Sequence, residues 1–208
     1  MNEAKTKWLD FIHLCDAFDV EGCPICTVVE RACYRHLDNL FYECVNDVGV
    51  RERLAASRGF CNRHAHLALR IPNTNSGIAI IYEDLLRHLD RPATAECMIC
   101  ETARFHERVF LGELLRWFDD AELQAKYRPS FGLCLPHLRC AQEIFAGDSQ
   151  LTALLAAEHD KLHALQAELQ EFDRKRDYRF ADEPKGAEQT SWRRVIEKFV
   201  GKREMCQP

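Results

Sequence analysis

The sequence predicts an all-α protein: a helical bundle of two tandem helical repeats, each with a Cys3His metal site, followed by a C-terminal amphipathic helix. Apolar residues recur at three- and four-residue steps through most of the 208 residues. Strand signals, meaning alternating polarity with β-branched enrichment, are nearly absent. A third observation is a spacing of cysteine and histidine that occurs twice along the chain. The predicted segments are an N-terminal helix, two repeats and a linker with a terminal helix, at residues 1–22, 23–92, 93–172 and 173–208.

Each repeat consists of a Cys-x2-Cys pair, a helical stretch and then Gly-x-Cys-x2-His. Gly59 and Gly132 stand two residues before the third cysteine. Four separate matches at nearly one period are very unlikely by chance and indicate a tandem duplication. The four metal-type residues of the first repeat recur 73 or 74 positions later: Cys23, Cys26, Cys61 and His64 correspond to Cys97, Cys100, Cys134 and His137.

Helical periodicity divides each repeat into four helices. In the first repeat, a wide apolar stripe follows Cys26 and reaches Val48, and a short helix is predicted over Val50–Ser57. The segments "NRHAHLALR" and "GIAIIYEDLLRHLD" supply the third and fourth helices. The second repeat matches this pattern, with its short helix over Ala121–Lys126, its third helix from "PHLRCAQEIF" and its longest helix over Asp148–Arg174.

The C-terminal segment changes character after the second repeat. "DYRFADEPKGAEQ" has the proline, glycine and charge of an extended connection. "TSWRRVIEKFVGK" predicts a short helix that Thr190 or Ser191 caps and Gly201 ends. We expect its apolar face to pack onto the core, and a basic arm for nucleic acid or membrane is the alternative; the face consists of Trp192, Val195, Ile196 and Phe199.

The repeated cysteines and histidines match the ligands of zinc. Two residues of spacing let both sulfurs of a Cys-x2-Cys pair converge on one ion, and four protein ligands close a structural site. Placing the pair at a helix start stabilises thiolates, and Pro24 and Pro136 are typical of a first helical turn. We expect two zinc sites, each formed within one repeat: Cys23, Cys26, Cys61 and His64 in the first, and Cys97, Cys100, Cys134 and His137 in the second.

Other interpretations of the same residues stay open. The cysteines could pack helix ends without binding metal, or hold an iron–sulfur cluster with three cysteines and one histidine. His66 could replace His64 as a ligand. A thioredoxin-like pair is disfavoured because no βαβ pattern surrounds either Cys-x-x-Cys.

Composition excludes several classes of protein. The net charge of −5 provides no basic field for nucleic acid, and no apolar run approaches the ~20 residues that span a bilayer. The N-terminus lacks the pattern of a signal peptide, and eleven cysteines, an odd number, argue against a disulfide framework. A cytoplasmic protein without a membrane partner is therefore expected.

Phosphate loops, nucleophile elbows and dinucleotide fingerprints are missing, so we predict no catalytic residue and no cofactor besides the metal.

The motifs "CPIC", "GFCNRH", "CMIC" and "GLCLPHL", followed by "DYRFADEPKGAEQTSWRRVIEKFVG", resemble an uncharacterised bacterial family described as a domain of unknown function. The resemblance covers roughly residues 10–201 and implies a metal-bearing helical protein without a known reaction. The sequence thus predicts a non-enzymatic adaptor or regulatory protein that acts through protein–protein contacts. An iron–sulfur or thiol-based redox protein and a nucleic-acid-binding zinc protein are the alternatives. Its protein partner is unidentified, and apolar stripes on paired helices make a homodimer an option.

Overall fold

The computed structural model describes residues 9–180 and 182–202 and confirms the all-α fold. Within these residues there are ten α-helices, two short 3-10 helices and no strand. The α-helices are α1 (Leu9–Phe18), α2 (Pro24–Glu43), α3 (Val48–Ser57), α4 (Asn62–Ala68), α5 (Asn75–Leu86), α6 (Met98–Arg116), α7 (Ala121–Tyr127), α8 (Leu135–Ile144), α9 (Leu151–Arg174) and α10 (Ser191–Val200). The 3-10 helices, Tyr178–Phe180 and Ala187–Thr190, lie in the predicted extended connection.

Two short helices begin at capping aspartates, whereas Thr190, the N-cap residue of α10, makes no side-chain capping bond. Asp47 caps α3 by accepting a hydrogen bond from the Val50 backbone, and Asp120 caps α7 in the same way. The N-terminal helix predicted within residues 1–22 is α1, and residues 1–8 of that prediction lie outside the described residues.

The chain divides into two compact units. The first unit contains the described residues up to Val28 and those from Arg108 onward, and the second unit is Val29–Glu107. These bounds differ from the repeats predicted at 23–92 and 93–172, because α2 and α6 each begin in one unit and continue into the other.

The core of the first unit is built on aromatic side chains. Phe11 of α1 contacts Trp117 edge-on, with ring centroids 5.4 Å apart. Tyr127 at the end of α7 meets Phe18 and Phe118 in the same geometry, at 5.9 and 5.1 Å. Such edge-to-face pairs contribute beyond their buried area and fix the position of α1 against α7.

In the second unit, α2, α3 and α5 are joined by close packing and charge. Gly77 of α5 lies against Phe41, where an added Cβ would come within 2.9 Å of the ring. Phe41 also meets Phe60 at 6.0 Å between centroids. Arg51 of α3 pairs with Asp84 of α5 at 2.8 Å. The residues before Cys61 are therefore held by both an aromatic contact and the packing of α5.

The orientation predicted for the C-terminal helix is wrong. Of the predicted core face, Trp192, Ile196 and Phe199 are exposed, and Val195 is only partly buried. The polar side of α10 packs inward instead, with Ser191 and Lys198 buried. We attribute this orientation to a specific pair, because the ammonium group of Lys198 contacts a buried carboxylate on α9; such a pair fixes how the helix docks more than it adds free energy of folding.

In the described part of the chain, no helix has both the length and the apolar character that crossing a membrane requires.

Candidate metal centres

Two clusters bring all eight predicted donor residues together, four in each compact unit. Site A consists of Cys23, Cys26, Cys134 and His137. Site B consists of Cys61, His64, Cys97 and Cys100. In each cluster the four donor atoms lie within 4.8 Å of one another, and His66 belongs to neither. Two clusters of this composition suggest metal binding.

Each Cys-x2-Cys or Cys-x2-His pair forms a doublet of donors, and the predicted pairing of these doublets is wrong. Cys61 and His64 do not join Cys23 and Cys26, as we expected from their order along the chain. Each Cys-x2-Cys pair instead meets the Cys-x2-His pair of the other repeat. Sequence spacing identifies the doublets but not their partners, because α2 and α6 carry the chain out of one unit and into the other before the next doublet arrives.

Each site is formed where two helices begin. In site A, Cys23 precedes α2 and its carbonyl accepts from the Thr27 backbone, while Cys134 is the N-cap of α8. In site B, Cys97 precedes α6 and Cys61 is the N-cap of α4. The first amides of a helix lack backbone partners and the dipole there favours negative charge, so both sites suit thiolates.

The donor separations in site A fit a single tetrahedral ion. Nδ1 of His137 lies 3.4, 3.5 and 3.1 Å from the sulfurs of Cys23, Cys26 and Cys134. The sulfurs of Cys26 and Cys134 are 3.8 Å apart. Donors at zinc-like bond lengths around one ion would be separated by about 3.5 to 3.8 Å. A disulfide needs sulfurs at about 2.05 Å, so this pair of thiols is unbonded.

Site B has the same dimensions. Nδ1 of His64 lies 3.2, 3.6 and 3.5 Å from the sulfurs of Cys61, Cys97 and Cys100. The sulfurs of Cys61 and Cys100 are 3.6 Å apart. Both sites therefore present three sulfurs and one Nδ1 atom at spacings that fit one tetrahedral ion.

The thiols and the imidazole of site A shift one another's pKa values. Burial opposes ionisation of Cys23, but hydrogen bonds from neighbouring thiols and the charge of His137 outweigh it, so the pKa of Cys23 lies well below its ordinary value. Burial would lower the pKa of His137, yet the negative charge of Cys23 raises that pKa to about 10. The pKa of Cys134 is raised because its thiol hydrogen-bonds to its neighbours, because it is buried and because other thiolates repel its ionised form. A bound divalent cation removes that repulsion.

In site B the histidine is neutral. Burial and the charge of Arg63 lower the pKa of His64 to about 4, so at neutral pH its imidazole has a free electron pair for a metal. Burial and the charge of Cys97 raise the pKa of Cys100 to about 12. Nε2 of His64 is buried and has no hydrogen-bond partner among the described residues. A ligating histidine ordinarily donates its second N–H to an acceptor, so His64 lacks this support.

A buried polar network fixes the loop that delivers Cys134. Oε1 of Glu158 accepts from the Leu133 backbone at 2.6 Å and from the Tyr127 hydroxyl at 2.7 Å, and Lys198 donates to Oε2 at 2.8 Å. The loop can come this close because Gly132 has φ +74° and no side chain, and an added Cβ would lie 2.5 Å from Glu158. The carboxylate thus fixes the backbone next to Cys134.

A tyrosine takes the corresponding place in the second unit. The Phe60 backbone donates to the hydroxyl of Tyr82, next to Cys61, and Gly59 has φ +88°. Tyr82 is the eighth residue of α5, as Glu158 is the eighth of α9. The loops before Cys134 and Cys61 are therefore both held by the eighth residue of the second helix after them, a buried ion-paired carboxylate in one unit and a hydroxyl in the other.

Sequence reasoning missed these supporting residues. A signal for Glu158 does exist: it is a charged residue in the apolar stripe of α9, between Leu154 and Leu165. Lys198 gave no comparable signal, because its helix has an apolar stripe on the opposite side. The complete burial of both side chains becomes evident only when α9 and α10 are placed side by side.

The two sites differ in protection, and we expect them to release metal at different rates. All four donors of site A are buried, whereas Cys61 and Cys100 of site B are partly exposed, and His64 lacks a partner for Nε2. Loss of such supporting contacts weakens metal binding by about 10- to 100-fold. With a chromogenic chelator, release should show two phases that differ in rate by about tenfold or more.

Variants assign the phases of release to the sites. Cys100→Ser should remove the fast phase, and Cys134→Ser should remove the slow phase. The reverse assignment, or a single phase from the unmodified protein, would contradict the difference in protection.

Comparisons with known proteins give one family and one relative, and neither is described with a function. A family of unknown function, DUF6062, matches residues 88–205, more than half of the chain. The match includes one doublet of each site, Cys97 with Cys100 and Cys134 with His137. A relative described as an uncharacterized 23.9 kDa protein in the xynA 3′ region of Caldicellulosiruptor sp. (strain Rt8B.4) is 26% identical over 176 residues, covering 78% of this chain and 86% of that protein. No solved structure matches the chain.

Proposed function

The chain belongs to DUF6062, a family of unknown function. We propose that it is a helical protein in which two structural zinc ions each stabilise one of the two compact units from within. The observation that carries this proposal is the pair of complete donor sets, three sulfurs and one Nδ1 atom each, at tetrahedral spacing. Zinc prefers this donor set and geometry. Site A would hold one ion and site B the other.

The number of donors supports a structural role. Four protein donors fill a tetrahedral zinc ion and leave no position for water or substrate, whereas catalytic sites ordinarily keep one position open. Each ion would connect the starts of two helices, α2 with α8 in site A and α4 with α6 in site B. The free energy of binding such an ion contributes directly to folding.

An iron–sulfur cluster is the alternative cofactor. Its ligands are divided between different iron atoms, which places ligand atoms on opposite irons further apart than donors on one ion. The 4.8 Å limit on every donor pair in both sites favours a single ion. Mononuclear iron would fit the same space, and elemental analysis distinguishes it from zinc.

We further propose that the protein acts as an adaptor or regulatory protein and not as an enzyme. The donors of both sites face one another inside the protein, and the buried polar network around Glu158 serves the loop before Cys134. The protein would then act by binding other molecules through its surface. Support for this role comes from the exposed apolar side chains of α10.

A tandem duplication explains why the two sites have the same design. The helix order α2–α5 is repeated as α6–α9, and the N-caps Asp47 and Asp120 stand 73 residues apart, as do Cys61 and Cys134. With doublets exchanged between the repeats, we infer that two copies of an ancestral unit completed each other's sites.

Elemental analysis of protein purified without oxygen tests the proposal. We expect a colourless protein with about two zinc ions per chain, as two closed Cys3His sites require. A brown protein with iron and labile sulfide would support the redox alternative and overturn the zinc proposal. Retention on heparin at physiological salt would instead support nucleic-acid binding, which an acidic chain does not favour.

A further inference from the structure

Helix α10 presents its apolar side outward. Trp192, Ile196, Phe199 and Val200 are 47%, 61%, 61% and 57% exposed, and they recur at helical spacing along one face. We call these four side chains the α10 face. Contiguous exposed apolar surface of this kind marks an interaction site in soluble proteins.

The inner side of α10 is fixed to the first unit by polar contacts. Ser191 donates to the Glu188 carbonyl at 2.7 Å, and Arg194 pairs with Glu168 of α9. Lys198 forms its buried ion pair with Glu158 and also donates to the Phe131 carbonyl at 3.0 Å. The helix is thus already folded and oriented, so binding through the α10 face needs no costly ordering of a disordered segment.

The charges around the α10 face are cationic. Residues 191–202 contain four basic side chains and one acidic one, but Arg194 and Lys198 are paired with carboxylates of α9, so the exposed cation beside the face is Arg193. Arg193 is exposed and stacks on the Trp192 ring at 4.8 Å, whereas the acidic residue, Glu197, is partly buried. Local charge therefore differs in sign from the net charge of the whole chain, −5. An apolar strip with tryptophan and arginine at its edge is suited to the interface of an anionic bilayer.

The size of the α10 face argues against a second copy as its occupant. Four partly exposed side chains offer on the order of 400 Å². Two such faces would bury on the order of 800 Å² in total, below the roughly 1,200 Å² of a specific, stable protein interface. Shallow insertion into a lipid surface needs no complementary protein surface, and its strength grows with apolar area and cationic charge.

We propose that the α10 face is a peripheral membrane-contact site that binds the surface of an anionic phospholipid bilayer, with the four apolar side chains at the acyl boundary and Arg193 at the headgroups. This proposal goes beyond the zinc-dependent fold and places the adaptor on a lipid surface. It differs from the expectation, drawn from the sequence, that the protein has no membrane partner.

Vesicle flotation of the zinc-loaded 208-residue protein tests the proposal. Binding to phosphatidylcholine vesicles that contain phosphatidylglycerol should be at least about tenfold stronger than to phosphatidylcholine alone, and should weaken with salt. Phe199→Ser should reduce binding by about tenfold or more, since one large apolar side chain is worth at least that factor. Arg193→Glu should reduce binding to the anionic vesicles.

Phe105→Ser is the matched control, because Phe105 lies on α6 in the second unit and is 63% exposed, close to the exposure of Phe199. It should bind vesicles like the unmodified protein, and both variants should retain two metal ions and full helical circular dichroism. Absence of vesicle binding, or equal losses in the two phenylalanine variants, would overturn the proposal. A concentration-dependent dimer that Phe199→Ser dissociates, without vesicle binding, would overturn it in favour of a second copy.

Discussion

Replacing Cys134 by serine is expected to unfold the first compact unit and to reduce the bound metal from two ions to one. The sulfur of Cys134 is fully buried among the donors of site A, and a serine hydroxyl does not ionise at neutral pH to replace it. A structural zinc ion contributes about 10–16 kcal/mol to folding, which is comparable to or larger than the roughly 5–15 kcal/mol that stabilises a whole domain. Circular dichroism and hydrogen exchange should show lost helix in the first unit.

Cys140→Ser is the matched control for this experiment. Cys140 lies on the same helix, α8, but its sulfur is not among the donors of either site. This variant should retain both ions and melt within a few degrees of the unmodified protein. If Cys134→Ser kept its full metal content and stability, site A would not be a structural metal centre.

The second large effect is expected at the buried ion pair. Lys198→Met should destabilise the zinc-loaded protein by about 3 kcal/mol, because it leaves the carboxylate of Glu158 buried without its cation. The value lies at the low end of the range for broken buried pairs, since Tyr127 and the Leu133 backbone still donate to that carboxylate. Urea denaturation followed by circular dichroism measures the change in the free energy of unfolding.

Two further variants distinguish burial of a charge from loss of packing. Adding Glu158→Gln to Lys198→Met should restore part of the lost stability, because a neutral amide replaces the unpaired carboxylate. Lys126→Met breaks a surface ion pair in which the side chains of Lys126 and Asp19 are 42% and 57% exposed. This change should lower the free energy of unfolding by under about 1 kcal/mol. Similar losses for the exposed and the buried pair would contradict the role assigned to Lys198.

The helices and the donor residues could be predicted from sequence because their signals are local. The capping aspartates precede α3 and α7, Pro24 is the first residue of α2, and the apolar period of α9 is regular over its length. The spacing of cysteines and histidines identified all eight residues of the two clusters, because the two residues between members of each pair reflect the geometry of a single turn. These features do not depend on how the helices are arranged.

The partners of the doublets could not be predicted in the same way. Both possible pairings satisfy the same local spacing, and choosing between them requires knowing where α2 and α6 lead the chain. The prediction of which face of α10 is buried was wrong for a related reason. Its apolar stripe predicts burial, yet Lys198 has a specific partner on α9 whose contribution depends on tertiary position.

Counting bound zinc by native mass spectrometry in two double variants tests the central claim, that each ion is held by doublets from different repeats. Cys26→Ser with Cys134→Ser damages only site A, so one zinc ion should remain. Cys26→Ser with Cys61→Ser damages both sites, so none should remain. If the first variant lost both ions and the second kept one, each site would lie within a single repeat and the arrangement described here would be wrong.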